Sequence, residues 1–179
     1  MSTKVILSVL FTLAFTTVAI AQTKDAATAD VGTLDAIMAA TYDSISGDAG
    51  QPRDWDRFRS LFHKDARLIP TGKNKDGVVS ANALSPDDYI KRAEPFLMKG
   101  FHEREIACRV ERYGNIAHVL STYESRYKKD DKTPFARGIN SFQLLYDGKR
   151  WWVITIYWQG ESPDNLIPNE YLKSKKDMR

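Results

Sequence analysis

Polar side chains recur within the last apolar stretches of the chain. Arg137 opens a run that continues Gly-Ile-Asn-Ser-Phe-Gln-Leu-Leu-Tyr, and residues 123–126 read Tyr-Glu-Ser-Arg. A charge that is buried among apolar residues must be paired or used. The guanidinium of Arg137 offers donors to a carboxylate or a carbonyl, and an acid in the same region could serve as a general base.

The Asp147-Gly148 pair predicts how these side chains face one another. Asp-Gly is typical of a two-residue hairpin turn, because both central residues of such a turn need positive φ. This turn sets Arg137 opposite Trp158, where the guanidinium can stack on the indole and still bind a ligand. Two alternatives stay open: a pair between Glu124 and an arginine on a solvated face, and contacts at a dimer interface. The expected ligand-binding residues are Arg137, Trp158, Gln143, Tyr123 and Glu124.

The sequence contains none of the common catalytic motifs. It has no G-x-S-x-G, no phosphate-binding loop and no H-E-x-x-H pattern. His63, His102 and His118 are far apart in sequence. Strand alternation also places His102 on the opposite face from Glu103 and Glu105. We therefore expect no metal site and no cofactor.

Helices are expected before residue 100. Apolar residues at helical spacing follow Thr33, a suitable N-cap, and this helix should stop at Gly47. Asp54 is placed to cap a short second helix. Ser85-Pro86 begins a third helix, because serine caps helix starts and proline is favoured at the first helical position. Pro95 should kink or end that helix.

Strands are expected mainly after residue 100. Two short ones, 66–70 and 78–84, precede four long candidates whose side chains alternate. Helices followed by a long antiparallel meander predict the α+β class. We expect a cone-shaped, strongly curved antiparallel sheet, with about three N-terminal helices packed on its concave side and a pocket at its wide end. The four long candidates are residues 101–112, 115–128, 135–146 and 149–159.

The N-terminus predicts export. Lys4 precedes an apolar run over residues 5–20, and Ala19-Ile20-Ala21 has the small residues that a signal peptidase reads. The rival interpretation is a membrane anchor. We expect a periplasmic or secreted protein that has no membrane association once the signal peptide is removed. The predicted segments are a signal peptide (1–21), a flexible linker (22–32), a domain (33–160) and an extended C-terminal tail (161–179).

Charge and aromatic content bear on the partners. The formal net charge is +3, with acids and bases interspersed, so no nucleic-acid partner is expected. The last hairpin has aromatic residues on both faces, with Trp151 and Tyr157 on one and Trp152 and Trp158 on the other. A monomer has one core in which to bury them, and a large exposed apolar patch usually marks an interface. A homodimer is therefore expected.

Two motifs resemble a known family. Leu61 to Leu68 reads LFHKDARL, which resembles the "LF-x-x-D-A-x-L" start of the first strand in nuclear transport factor 2-like domains. Phe142 to Ile154 is similar to their ending of an apolar strand, Asp-Gly and Trp-x-Ile. The resemblance spans roughly Leu34 to Trp158 and implies the cone-shaped fold. It also implies that Asp65 turns the backbone at the start of the strand and takes no part in chemistry.

The resemblance leaves two classes of function open. The superfamily includes SnoaL-like (polyketide-cyclase-like) proteins, ketosteroid isomerases, scytalone dehydratases, epoxide hydrolases and pocket domains without an assigned reaction. We favour an exported domain that binds a small, partly apolar ligand without catalysis, because no acid–base pair can be named from the sequence. The alternative is a cofactor-independent lyase, isomerase or hydrolase in which a pocket acid is the base and Arg137 or a tyrosine the electrophile. A pocket carboxylate with a strongly raised pKa would favour the enzyme.

The export prediction can be tested on protein from its native host. Cleavage after Ala21 leaves a chain that begins at Gln22, and intact-mass analysis should find that chain, with or without cyclisation to pyroglutamate. Recovery of the full-length chain from the cytosolic fraction would contradict the prediction.

Overall fold

Helices and strands follow one another along residues 26–173, which are the residues that the computed structural model describes. The predicted signal peptide lies outside the described residues. Within 26–173 no helix is long and apolar enough to cross a membrane. The helices are α1 (Thr28–Val31), α2 (Leu34–Ile45), α3 (Trp55–Leu61) and α4 (Pro86–Leu97). The strands are β1 (Phe62–Lys73), β2 (Val79–Ala81), β3 (His102–Tyr113), β4 (Ile116–Arg126), β5 (Ala136–Tyr146) and β6 (Trp151–Gly160).

The strands form one curved sheet in the order β2-β1-β6-β5-β4-β3. Neighbouring strands are antiparallel except β1 and β6, which are parallel. The N-terminal helices pack on one face of the sheet, where the side chains of Ile37, Phe58 and Phe142 are buried. The predicted α+β class and the curved sheet with helices on one side are confirmed.

Three predicted helix starts are confirmed by their caps. Thr33 Oγ1 accepts from the Ala36 amide at 3.0 Å, which satisfies an N–H group that has no partner within the helix. Asp54 caps α3 in the same way, and Ser85 caps α4. These local interactions are readable from the sequence because donor and acceptor lie three residues apart.

The structure differs from the prediction at several boundaries. α2 ends at Ile45 with Ser46 as its C-cap, directly before Gly47, as the sequence predicts. α4, in contrast, continues past Pro95, which was expected to kink or end it, to Leu97. Pro95 lacks only its own N–H group, and it stands in the last turn of an exposed helix face, where water can replace the lost bond. α1 lies within the segment predicted as a linker. A short 3₁₀ helix, Asn169–Tyr171, lies within the predicted tail.

The predicted register of the last hairpin is wrong. Tyr146 pairs with Trp151, so the loop is 147–150 and not the two residues Asp147-Gly148. Asp147 Oδ1 accepts from the amides of Lys149 and Arg150, both at 2.8 Å, which stabilises the longer loop. A bulge between Gln143 and Leu144 shifts the ladder once more. As a result, Trp158 lies opposite Asn140 and not opposite Arg137.

Arg53 donates hydrogen bonds to backbone carbonyls at the ends of two helices. Its guanidinium is buried. Nε donates to the carbonyl of Ile45 at 3.0 Å, and Nη2 donates to those of Gly47 and Leu97 at 2.8 and 2.9 Å. One side chain therefore joins the ends of α2 and α4.

Removing this guanidinium should destabilise the fold. Arg53→Met removes the side-chain donor to the Ile45 carbonyl and one of the two donors to the carbonyls of Gly47 and Leu97, so we expect the free energy of unfolding in urea to fall by about 3 kcal/mol. Arg67→Met is the matched control, because Arg67 is exposed and bonds only the adjacent carbonyls of Asp65 and Ala66. The control should change stability by less than about 0.5 kcal/mol. Equal effects of the two substitutions would contradict the role given to Arg53.

Candidate functional site

A cavity of about 270 Å³ lies between α2, α4 and the concave face of the sheet. Nine of the nineteen described residues that line it are aromatic. Tyr89 stacks on Phe58 with ring centroids 5.5 Å apart, and Trp158 meets Tyr89 edge-on at 6.3 Å. Apolar and aromatic side chains with a few polar groups are the usual lining of a small-molecule pocket. The nine aromatic residues that line the cavity are Tyr42, Phe58, Tyr89, Phe96, Phe101, Tyr123, Phe135, Phe142 and Trp158.

Three phenylalanines form one part of the cavity wall. Phe96, Phe101 and Phe135 contact one another with ring centroids 5.9 to 6.2 Å apart. Phe96 and Phe135 are each 40% exposed, so this part of the cavity wall carries apolar rings that reach solvent. Exposed apolar rings beside a cavity are typical of a binding surface.

Glu103 supplies the one carboxylate among the described residues that line this cavity. Ser125 Oγ donates to Glu103 Oε2 at 2.7 Å, and the amide of Asn140 also donates to this carboxylate. Burial raises the pKa of Glu103 to about 7, against the opposing effect of the two hydrogen bonds. The carboxyl group therefore changes protonation near neutral pH.

Two tyrosines, Tyr89 and Tyr123, line the same cavity as this carboxyl group. Burial, together with the negative charge of Glu103, raises the pKa of Tyr89 and of Tyr123 well above the usual range. Both hydroxyls stay protonated at neutral pH and can donate hydrogen bonds to a ligand. The cavity thus combines a group that can accept a proton with groups that can stabilise an oxyanion.

Tyr42 and Glu103 also line a second, larger space. This is a charged groove of about 950 Å³ between α2 and β3. The Tyr42 hydroxyl lies 2.6 Å from Ser121 Oγ, which in turn donates to Glu105 Oε2 at 2.6 Å. On its other side the Tyr42 hydroxyl accepts from Asn140 Nδ2 at 3.0 Å. A buried hydrogen-bond chain therefore connects Glu105 in the groove with Glu103 in the cavity.

Comparison with known proteins bears on the fold. The sequence matches no family model, and no curated protein matches it. A protein of unknown function with a cystatin-like fold, from Nostoc punctiforme, matches 70% of this chain and 86% of its own, at 12% identity and a TM-score of 0.53. A protein provisionally named scytalone dehydratase, from Novosphingobium aromaticivorans, matches 82% of this chain and 93% of its own, at 10% identity and a TM-score of 0.52. A nuclear transport factor 2-like protein of unknown function, from Silicibacter pomeroyi, matches 73% of this chain and 94% of its own, at 15% identity and a TM-score of 0.48.

The chain has a nuclear transport factor 2-like fold. At these identities the likeness concerns the fold alone. The function of this domain must therefore be argued from its own side chains.

The sequence-predicted site residues fall on both faces of the sheet. Of the five, Tyr123 and Trp158 line the cavity in the described part of the chain. Arg137 instead pairs with Glu161, with Nε and Nη2 at 2.8 and 3.1 Å from its two carboxylate oxygens. Glu124 accepts from Arg104 Nε at 2.6 Å and also pairs with Arg126, and Gln143 is exposed. Arg137, Gln143 and Glu124 thus belong to the outer face, which strand alternation separates from Tyr123 and Ser125.

Sequence reasoning missed Glu103 as a site residue. Alternation does place Glu103 and Glu105 on one face of β3, and that signal was available. Its importance comes from Asn140 and Tyr89, which belong to β5 and α4. No spacing along the chain predicts that these two side chains meet Glu103.

The raised pKa of Glu103 predicts a pH dependence of stability. Between the ordinary value of 4.5 and about 7, the folded protein holds a proton on Glu103 that the unfolded chain has released. The free energy of unfolding therefore falls as pH rises through this window, by up to about 3 kcal/mol at roughly 1.4 kcal/mol per unit. Glu103→Gln removes this loss, so the variant should gain stability relative to wild type from pH 4.5 to 7.

Urea unfolding at a series of pH values measures this difference. Glu111→Gln is the matched control, because Glu111 lies on the same strand with its carboxylate exposed. Its curve should run parallel to that of wild type. A Glu103→Gln curve that is also parallel to wild type would show that Glu103 titrates at its ordinary value.

Proposed function

We propose that the cavity binds a small, partly apolar, ring-bearing molecule and that Glu103 acts on it as a general acid–base. The observation that carries the proposal is Glu103 itself, a single carboxyl group with a pKa of about 7 in an aromatic cavity. A general base works best when its pKa lies near the working pH. Perturbed carboxyl groups in clefts are typical of functional sites.

The chemistry that fits these groups is proton abstraction next to a carbonyl. The ionised carboxylate of Glu103 takes a proton from a carbon, and the electrons of the broken C–H bond move into an enolate. Tyr89 and Tyr123 donate hydrogen bonds to the enolate oxygen, where the negative charge develops. Return of the proton to another carbon completes an isomerisation, which is the reaction of an isomerase. Loss of a neighbouring leaving group completes an elimination, which is the reaction of a lyase. Neither outcome needs a cofactor.

This proposal takes up the enzymatic alternative from the sequence. The sequence alone favours a binder without catalysis, because no acid–base pair can be named from it. Glu103 and the two tyrosines are the groups that we propose for this role. The cavity volume of about 270 Å³ lies just below the roughly 300–1,000 Å³ of sites for drug-sized ligands, so we propose a ligand of about two rings. The export and homodimer predictions stay predictions.

The proposal can be tested without knowing the natural substrate. Acetophenone carries one ring and a methyl group next to a carbonyl, and exchange of its methyl protons in deuterium oxide can be followed by proton NMR. Wild-type protein should accelerate this exchange over buffer, with a rate that rises with pH to a plateau above about pH 7, as Glu103 becomes ionised.

Two variants decide whether Glu103 is the base. Glu103→Gln should lose at least about 90% of the acceleration, because one general base is worth about 10²- to 10⁴-fold. Glu111→Gln, the exposed acid on the same strand, should keep it. Exchange that is equally fast with Glu103→Gln, or no acceleration by wild type at any pH, would overturn the proposal.

A further inference from the structure

The hydrogen-bond chain from Glu105 to Glu103 has a defined direction. A carboxylate has only acceptors, so Ser121 must donate its hydroxyl proton to Glu105. Ser121 can then only accept from Tyr42, and the Tyr42 oxygen accepts from Asn140 Nδ2. Each bond in the chain fixes the role of the next group.

This direction decides how the Asn140 amide is turned. Ser121 is 0% exposed, and Tyr42 and Asn140 are each 6% exposed. Because water has little access to these groups, the carboxylates at the two ends of the hydrogen-bond chain set its direction. With its amide nitrogen on the Tyr42 oxygen, Asn140 turns an N–H group to Glu103 as well. If the chain ran the other way, Tyr42 would donate to the amide oxygen, and that oxygen would face Glu103 instead.

We propose that Glu105 is a positioning residue, which acts through Ser121 and Tyr42 to keep the N–H side of the Asn140 amide turned to Glu103. The inference rests on the proposed function, because it concerns Glu103, the residue that acts as the base in that function. It extends the site from the cavity into the charged groove, where the Glu105 side chain lies.

The proposed role and simple charge repulsion predict opposite shifts in the pKa of Glu103 when Glu105 is replaced by glutamine. An N–H donor favours the ionised form of Glu103, whereas an amide oxygen favours the protonated form. Glutamine at position 105 can donate to Ser121 as well as accept, so Glu105→Gln allows the chain to reverse. The pKa of Glu103 should then rise. Removal of a neighbouring negative charge would by itself lower that pKa.

The other charged groups near Glu103 do not reproduce this effect. Tyr42, Tyr89 and Tyr123 face it from α2, α4 and β4, and all three pKa values are raised, so these groups stay neutral. The groove also carries three arginines, Lys129, Asp131, acids of α1 and α2, and His102, which bonds Asp48. These groups are unchanged in Glu105→Gln, so their charges are the same in both proteins.

The test is the pKa of Glu103 in five proteins: wild type, Glu105→Gln, Ser121→Ala, the variant that combines these two substitutions, and Asp43→Asn. This pKa is read from the NMR shift of the glutamate carboxyl carbons against pH, with the Glu103 signal assigned by its loss in Glu103→Gln. In the wild-type background, Glu105→Gln should raise this pKa by about one unit. In the Ser121→Ala background, which interrupts the chain with little change in volume, Glu105→Gln should leave it unchanged or lower it. Asp43→Asn removes a groove acid outside the chain and should not raise it.

Each result supports or overturns the inference. A rise in Glu105→Gln that disappears in the Ser121→Ala background supports it. A fall or no change in Glu105→Gln overturns it, and so does an equal rise in the Ser121→Ala background. A wild-type pKa near 4.5 overturns the proposed function as well, whereas a wild-type value near 7 that falls in Glu105→Gln overturns only the positioning role.

Discussion

Burial of one carboxyl group among aromatic rings is the constraint on which this site depends. A carboxylate loses hydration when it is enclosed by apolar side chains, and the protein compensates with donors from Ser125 and Asn140. The compensation is partial, and the pKa stays raised. A domain selected for stability alone would gain by replacing such a group with an apolar one. The retained carboxyl group is therefore the strongest sign of function in this fold.

The curved sheet separates two kinds of polar contact. On the concave face, Ser125 of β4 and Asn140 of β5 donate hydrogen bonds to Glu103. On the outer face, Arg137 with Glu161 and Glu124 with Arg104 form ion pairs near solvent. The C-terminal segment also crosses this outer face, where Thr122 donates to the carbonyl of Tyr171 at 2.6 Å. Alternation along β4 thus places Glu124 and Tyr123 in different environments, although they are neighbours in sequence.

Local interactions made most of the fold predictable from the sequence. The caps at Thr33, Asp54 and Ser85 act over three residues, and the long strands alternate clearly enough to be placed within a few residues. The hairpin register failed because the Asp147 side chain stabilises a longer loop and a bulge follows at Gln143, and neither can be read from an Asp-Gly pair. The site was only partly predictable, because the pKa and the hydrogen bonds of Glu103 depend on side chains of four other elements.

Glu103 stays protonated at pH values well above those at which a glutamate side chain usually ionises. Infrared difference spectroscopy between wild type and Glu103→Gln tests this protonation most directly, because the C=O stretch of a protonated carboxyl group is separate from the bands of carboxylates. A protonated-acid band that is present in wild type at about pH 6, absent in the variant and lost above about pH 8 is the result expected from the burial of this group. A difference spectrum with only carboxylate bands at about pH 6 would contradict the account.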